Sequence, residues 1–131
     1  MTNERTAIER LRTDLGLPGG DAYTQDWAHE LPEEFRTASH LHRYLTAYGD
    51  PSYGDTERRL LVQLSLDVVN DLLDQDEDLG LEFWAQLLKV LKGHAQLHRD
   101  QVEYWALEDT PLEDAFPLTP LARQFLQFKD E

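Results

Sequence analysis

The stretch from Asp55 to Asp78 constrains the fold most strongly, because apolar side chains recur there at helical spacing. On a helix that turns about 100° per residue, these side chains cover more than half of the circumference. An arc this wide exceeds the apolar stripe of an ordinary surface helix. The stretch therefore predicts a central helix that is packed on several sides. Its apolar set is Leu61, Val62, Leu64, Leu66, Val68, Val69, Leu72 and Leu73.

Glycine, proline and N-cap residues divide the remaining chain into further amphipathic segments. No strand-like alternation competes with the helical pattern anywhere. We therefore expect an all-α fold, a single irregular antiparallel bundle of five or six helices over residues 1–131. The break after the central helix is expected at Leu79–Gly80, and the segment Asp21–Leu31 fits either a loop or a short helical turn. The other predicted helices cover residues 3–15, from Pro32 or Ser39 to Tyr48, 81–91, 94–107, and from Thr119 onward.

The composition sets the class of protein. A chain of 131 residues is typical of one domain. The absence of cysteine excludes disulfides, thiolate metal sites and a cysteine nucleophile. No apolar run approaches the roughly 20 residues that cross a bilayer, and the first residues lack the apolar core of a secretory signal. We expect a cytoplasmic protein that does not contact membranes.

The formal charge of −14 is the one compositional outlier. It argues against direct binding of nucleic acid, which needs a basic surface, and it suits either a basic protein partner or simple solubility. The acids are unevenly distributed. Seven lie between Arg59 and Lys89 and six between Arg99 and Arg123, with no base in either interval.

Four aspartates follow one side of the predicted central helix at spacings of four, three and four. Like charges at these spacings repel by roughly 0.2–0.5 kcal/mol per pair, so helix stability does not explain them. We interpret the row, with neighbouring Glu77, as an exposed docking face for Lys and Arg of a partner. The alternatives are a divalent-cation site and a solvated face that forms salt bridges with Arg58, Arg59 or Arg43. This aspartate row consists of Asp67, Asp71, Asp74 and Asp78.

His94 and His98 lie four residues apart on the predicted fifth helix, on an arc that is expected to face inward. Such a pair can bind a metal ion through imidazole nitrogens. The segment HAQLHRDQV resembles the H-x-x-x-H-R-x-Q segment of DinB-type four-helix metal proteins. That resemblance implies metal binding by His94 and His98, for which His42 is the candidate third ligand. The alternative, which we favour, is a pair of hydrogen-bonded structural histidines and no cofactor. The residues that define the arc are Leu97, Val102, Tyr104 and Trp105.

Sequence signatures of catalysis are missing. The chain has no G-x-S-x-G, no glycine-rich phosphate loop and no HExxH, since Ala95 stands where that motif has its glutamate. These absences favour a protein that is not an enzyme. The tyrosines are expected mostly in the core, with Tyr53 exposed in the turn 51–54.

An acidic, cysteine-free helical chain that ends in YW…FPLTP…R is similar to bacterial toxin-immunity proteins. The matching residues are Tyr104-Trp105, Phe116 to Pro120 and Arg123. The resemblance implies a stoichiometric inhibitor that blocks a basic toxin surface. The leading hypothesis is thus a non-enzymatic protein whose acidic helical face binds a basic partner. The alternatives are a DinB-like metal protein and a structural or regulatory domain that forms a homodimer through a helix face.

Overall fold

The computed structural model describes residues 4–17, 33–107 and 109–129. Within these ranges the chain forms six α-helices and two short 3-10 turns, Glu33–Phe35 and Leu112–Asp114, and it contains no strand. The all-α prediction is therefore confirmed for the described residues, whereas the segment Asp21–Leu31 lies outside them. None of the described helices combines the length and the apolar character that crossing a membrane requires. The helices are α1 (Glu4–Leu15), α2 (Ala38–Tyr48), α3 (Asp55–Gln75), α4 (Glu77–Gly93), α5 (Ala95–Ala106) and α6 (Thr119–Lys129).

The chain contains two compact units, Met1–Val68 and Val69–Glu131, and helix α3 contributes residues to both. In the second unit, α5 packs chiefly against α6 and also contacts α4. The single-domain organisation of residues 1–131 stays a prediction. The core of the first unit includes Ala7, Leu11, Leu41, Tyr44, Leu61, Leu64 and Leu66. The core of the second includes Phe83, Trp84, Leu87, Leu91, Val102, Trp105, Leu118 and Phe125.

Tyr53 lies in the core of the first unit, so its predicted exposure is wrong. Its hydroxyl donates a hydrogen bond to Asp14 Oδ2 at 2.6 Å, and the Arg10 guanidinium lies 4.6 Å from its ring centroid. Arg10 and Asp14 are one helical turn apart on α1. They therefore give a buried phenol both a hydrogen-bond acceptor and a cation against its ring face.

Helix α2 begins after Thr37, whose hydroxyl oxygen accepts a hydrogen bond from His40 N at 3.2 Å. This is the usual chemistry of an N-cap threonine. The start predicted at Pro32 is wrong, because Glu33 and Glu34 belong to a separate 3-10 turn. The alternative start at Ser39 is close, and the apolar face of the helix is the predicted one, with Leu41 and Tyr48 buried.

The corner between α3 and α4 lies at Asp76, so the predicted break at Leu79–Gly80 is wrong. The side chain of Asp76 caps α4 by accepting a hydrogen bond from Leu79 N at 3.3 Å. Glu77 and Asp78 then occupy the first turn of α4. There the positive end of the helix dipole stabilises negative charge, by about 0.3–1 kcal/mol per group. The stretch that predicts the central helix extends to Asp78, but Asp76, Glu77 and Asp78 begin the next helix.

Gly80 lies inside α4 and is buried. A Cβ atom at this position would lie 2.7 Å from the backbone nitrogen of Leu73, near the end of α3. Glycine is therefore required here for close approach of two helices rather than for a turn. Glycine lowers the stability of the helix by roughly 1 kcal/mol relative to alanine. The close approach to Leu73 that glycine permits offsets this loss.

Candidate functional site

The structure separates the members of the aspartate row. Asp74 is exposed at the end of α3, and Asp78 and neighbouring Glu77 are exposed on the first turn of α4. Asp71 is half-buried, and Asp67 is only 4% exposed. The prediction that all four aspartates share one exposed helix face is therefore wrong. Asp67 is in the core, and Asp78 is on a different helix.

Asp67 is buried because the middle of α3 is covered on every side. Its neighbours Leu66 and Val68 are buried as well, which leaves no solvent-facing side at this level of the helix. Arg36 supplies the compensating charge, with its Nη2 atom 3.3 Å from Asp67 Oδ1. A carboxylate in such a place needs a paired cation, since an unpaired buried charge costs several kcal/mol. Arg36 is not one of the partners that the sequence suggested, which are Arg43, Arg58 and Arg59.

The exposed acids that remain form a cluster at the turn between α3 and α4. We call Asp74, Asp76, Glu77 and Asp78 the acidic corner; all four are exposed. In the described part of the chain none of these carboxylates forms an ion pair. Asp74 lies in the last turn of α3, where the helix dipole disfavours negative charge. The capping role of Asp76 and the dipole at α4 account for the other acids structurally, but no contact with the described residues accounts for Asp74.

Several arginines cap the C-terminal ends of helices instead of neutralising surface acids. Arg43 Nη2 donates to the carbonyl oxygen of Leu15 at 2.9 Å, at the end of α1. Arg58 Nε donates to the carbonyl oxygen of Tyr48, at the end of α2, at 3.4 Å. These carbonyls carry the negative end of the helix dipole, so a guanidinium is favourable there. Cations held in this way contribute little to balancing exposed carboxylates elsewhere.

A second surface feature lies at the connection between α5 and α6. Tyr104 is 62% exposed and Phe116 is 38% exposed. Both rings contact the ring of buried Trp105, with centroids 5.6 Å apart for Tyr104 and 4.9 Å for Phe116. We call these three residues the aromatic patch. Leu112, on the same connection, is 56% exposed.

Sequence reasoning placed Tyr104 on the inward arc of its helix, which is wrong. The buried face of α5 consists of His98, Val102, Trp105 and Ala106. Tyr104 lies about 160° from Val102 and 100° from Trp105 on a regular helix, away from the centre of that face. A wheel centred on His98 and Val102 would have predicted its exposure.

The two histidines of the proposed metal pair do not share an inward helix face. His98 is fully buried, and its Nδ1 lies 2.8 Å from Gln101 Oε1, a hydrogen-bonding distance. His94 is exposed and precedes α5 as a non-helical residue with φ of −140°. The expected inward position of His94 is therefore wrong, because α5 begins one residue later. His42, the candidate third ligand, is exposed on α2.

Potential metal ligands are dispersed in the described ranges. No group of three or more His, Asp or Glu side chains there could hold a metal ion. Within these ranges, His94 and His98 are therefore not part of a ligand group of the kind that a DinB-like centre requires.

The unit Met1–Val68 also has an open groove of about 600 Å³, lined by Asp14, His42, Arg43, Asp50 and Tyr53 among others. The side chains of Asp14, Arg43, Asp50 and Tyr53 already have hydrogen-bond partners within the protein. Tyr53 donates to Asp14, and burial raises the pKa of Tyr53, with this hydrogen bond adding to the shift. The backbone N–H of Ser52 donates to Asp50 and, as the largest cause, lowers the pKa of that carboxyl. No nucleophile or poised acid–base pair is recognisable among these lining residues.

Comparison of the chain with protein-family models, curated proteins and solved structures finds no match.

Proposed function

We propose that this chain is a non-enzymatic binding protein whose acidic surface engages a basic protein partner. The acidic corner carries the proposal, because four exposed carboxylates lie within five consecutive residues and form no ion pair with the described residues. A partner that supplies Lys or Arg would relieve their mutual repulsion. Of the predicted docking residues, the proposal keeps Asp74, Glu77 and Asp78 and omits buried Asp67 and half-buried Asp71. It adds exposed Asp76.

The physical consequence is an association governed by charge. Exposed carboxylates of one sign attract a basic surface over distances of about a Debye length, which is ~8 Å at physiological salt. The association rate should therefore be high at low salt and fall as salt is added.

The specific form that we propose is a toxin-immunity protein, a stoichiometric inhibitor that covers a basic toxin surface. A cytoplasmic location belongs to this proposal and suits the absence of cysteine. Formation of a homodimer through a helix face is the competing function. It predicts self-association of the protein with no dependence on a basic partner.

The test is binding of a labelled lysine-rich peptide, followed by fluorescence anisotropy at two salt concentrations. The variant Asp74→Lys/Glu77→Lys leaves the capping Asp76 in place. We expect its affinity to fall at least tenfold, a change equivalent to about 1.4 kcal/mol. The wild-type affinity should weaken at the higher salt concentration.

A control with the same change in net charge is Glu33→Lys/Glu34→Lys, since both residues are exposed on the 3-10 turn Glu33–Phe35. It should lose much less affinity than the corner variant. Equal losses in the two variants would mean that only net charge matters and would contradict a docking role for the acidic corner.

A further inference from the structure

Two rings of the aromatic patch, those of Tyr104 and Phe116, are exposed on the surface of the second unit. Single exposed apolar side chains are ordinary on protein surfaces. Here two exposed rings both contact the same buried ring of Trp105, so they lie near one another. Exposed apolar side chains that cluster in this way are a feature of interaction sites.

The connection between α5 and α6, residues 107–118, contains several acidic residues and no basic residue. Asp109, Glu113 and Asp114 are exposed and form no ion pair with any described residue. Arg123, the next base along the chain, donates to the carbonyl oxygens of Ala106, Leu107 and Thr110. The charge on this connection is therefore negative, which is complementary to a basic ligand.

The patch is also held in a defined conformation. Leu107 has a φ of +42°, a left-handed conformation that is unfavourable for a branched residue such as leucine. Arg123 holds this turn through its three carbonyl contacts, and the Thr119 hydroxyl donates to the carbonyl oxygen of Trp105 at 2.7 Å. Side chains on a fixed backbone lose less entropy on binding, so the rings are presented in a preorganised way.

We propose that the aromatic patch binds arginine side chains of a basic segment in the partner protein. A guanidinium group stacks flat on an aromatic ring, and carboxylates accept its N–H groups in pairs. A lysine ammonium satisfies the charge but has no plane with which to stack. The same protein shows the geometry internally, where Arg10 lies over the ring of Tyr53.

This inference rests on the proposed function, since it takes a basic protein partner as given, and it adds selectivity for arginine over lysine. The experiment uses two peptides that differ only in having arginine or lysine at every basic position. Both should bind the wild-type protein. The arginine peptide should bind about twofold more tightly, because both cations are attracted to the ring but only the guanidinium can also stack flat on it.

Three variants test whether the ring of Tyr104 is responsible for the preference for the arginine peptide. Tyr104→Leu keeps apolar surface but removes the ring, so the affinity ratio of the two peptides should fall toward one. Tyr104→Phe keeps the ring and should keep the ratio. Leu81→Ala removes an exposed apolar side chain on α4 and should also keep it. Because Tyr104 is largely exposed, the fold should survive; if the helical circular dichroism of Tyr104→Leu is lost, Phe116→Leu replaces it.

The possible results are distinct. Equal affinities of the two peptides for the wild-type protein, or an unchanged ratio in Tyr104→Leu, would overturn the inference and leave the proposed function standing. Failure of both peptides to bind would overturn the proposed function and, with it, this inference.

Discussion

The carboxylate of Asp67 is buried in the first unit, where it forms an ion pair with the guanidinium of Arg36. The side chains of Arg36 and Asp67 are 12% and 5% exposed, so water screens their attraction only weakly. Burying such a pair is no guarantee of net stabilisation, since both groups lose their hydration. Removing one member is different, because the other loses this ion-pair partner while it stays largely buried.

We predict that Asp67→Asn lowers the free energy of unfolding by about 3 kcal/mol, the lower end of the range for breaking a buried pair, since Arg36 keeps some access to solvent. Urea titration followed by circular dichroism measures this. The matched control is Asp74→Asn, which makes the same chemical change at an exposed position of the same helix and should alter stability by less than about 0.5 kcal/mol. Similar effects of the two variants would refute the buried ion pair.

At the scale of elements, the corner between α3 and α4 is fixed by a cap and by a close contact. Asp76 ends one helix and caps the next, so two helices are joined by a single non-helical residue. Gly80 then lets the first turns of α4 approach the last turns of α3 at Leu73. The acidic corner therefore lies where two helices meet and approach closely, and not on a loop.

We predict that Gly80→Ala destabilises the protein by about 1–3 kcal/mol, as overpacking does in a well-packed core. The added methyl group meets the backbone of Leu73, which cannot move aside as a flexible side chain can. Thermal or urea unfolding measures the loss.

Gly93→Ala is the control within the same helix, because a Cβ atom there has no heavy atom within 4 Å. Alanine has the higher helix propensity, so this variant should be neutral or up to about 1 kcal/mol more stable. Stabilisation by Gly80→Ala as well would show that the two helices do not approach as described.

Helical spacing in the sequence was sufficient to predict the elements but not all of their ends. The periodic apolar residues of α3 and α4 predicted two helices, with Phe83 and Leu87 buried as expected. Because glycine often ends helices, the sequence favours a break at Gly80, but in the structure Gly80 permits a close contact with Leu73 that depends on the tertiary fold. The capping ability of Asp76 was visible in the sequence and was the better signal.

The candidate site was less predictable, because exposure depends on residues distant in the chain. Asp67 looked like a surface residue on an isolated helix, but Arg36, 31 positions earlier, lies beside it in the fold. The exposure of Tyr104 was within reach of a helical wheel. The ring contacts of Tyr104 and Phe116 with Trp105 could not be predicted from the sequence, because they depend on the path of the connection to α6.

At the scale of the whole molecule, negative charge is concentrated in one part of the chain. Residues 69–131 contain 14 acidic and 5 basic residues, against 12 and 7 in residues 1–68. Both the acidic corner and the aromatic patch belong to this more acidic unit. We therefore expect a basic partner to contact the second unit.

The most direct test is photo-crosslinking in cells, with a crosslinking amino acid at Glu77 in the acidic corner and, for comparison, at Glu34. The proposal predicts that the Glu77 position links to one particular protein with an isoelectric point above about 9, and that the Glu34 position does not. That protein, when purified, should form a complex with the wild-type chain that Asp74→Lys/Glu77→Lys weakens. Crosslinks from Glu77 only to other copies of this chain, or the same products from both positions, would contradict the account.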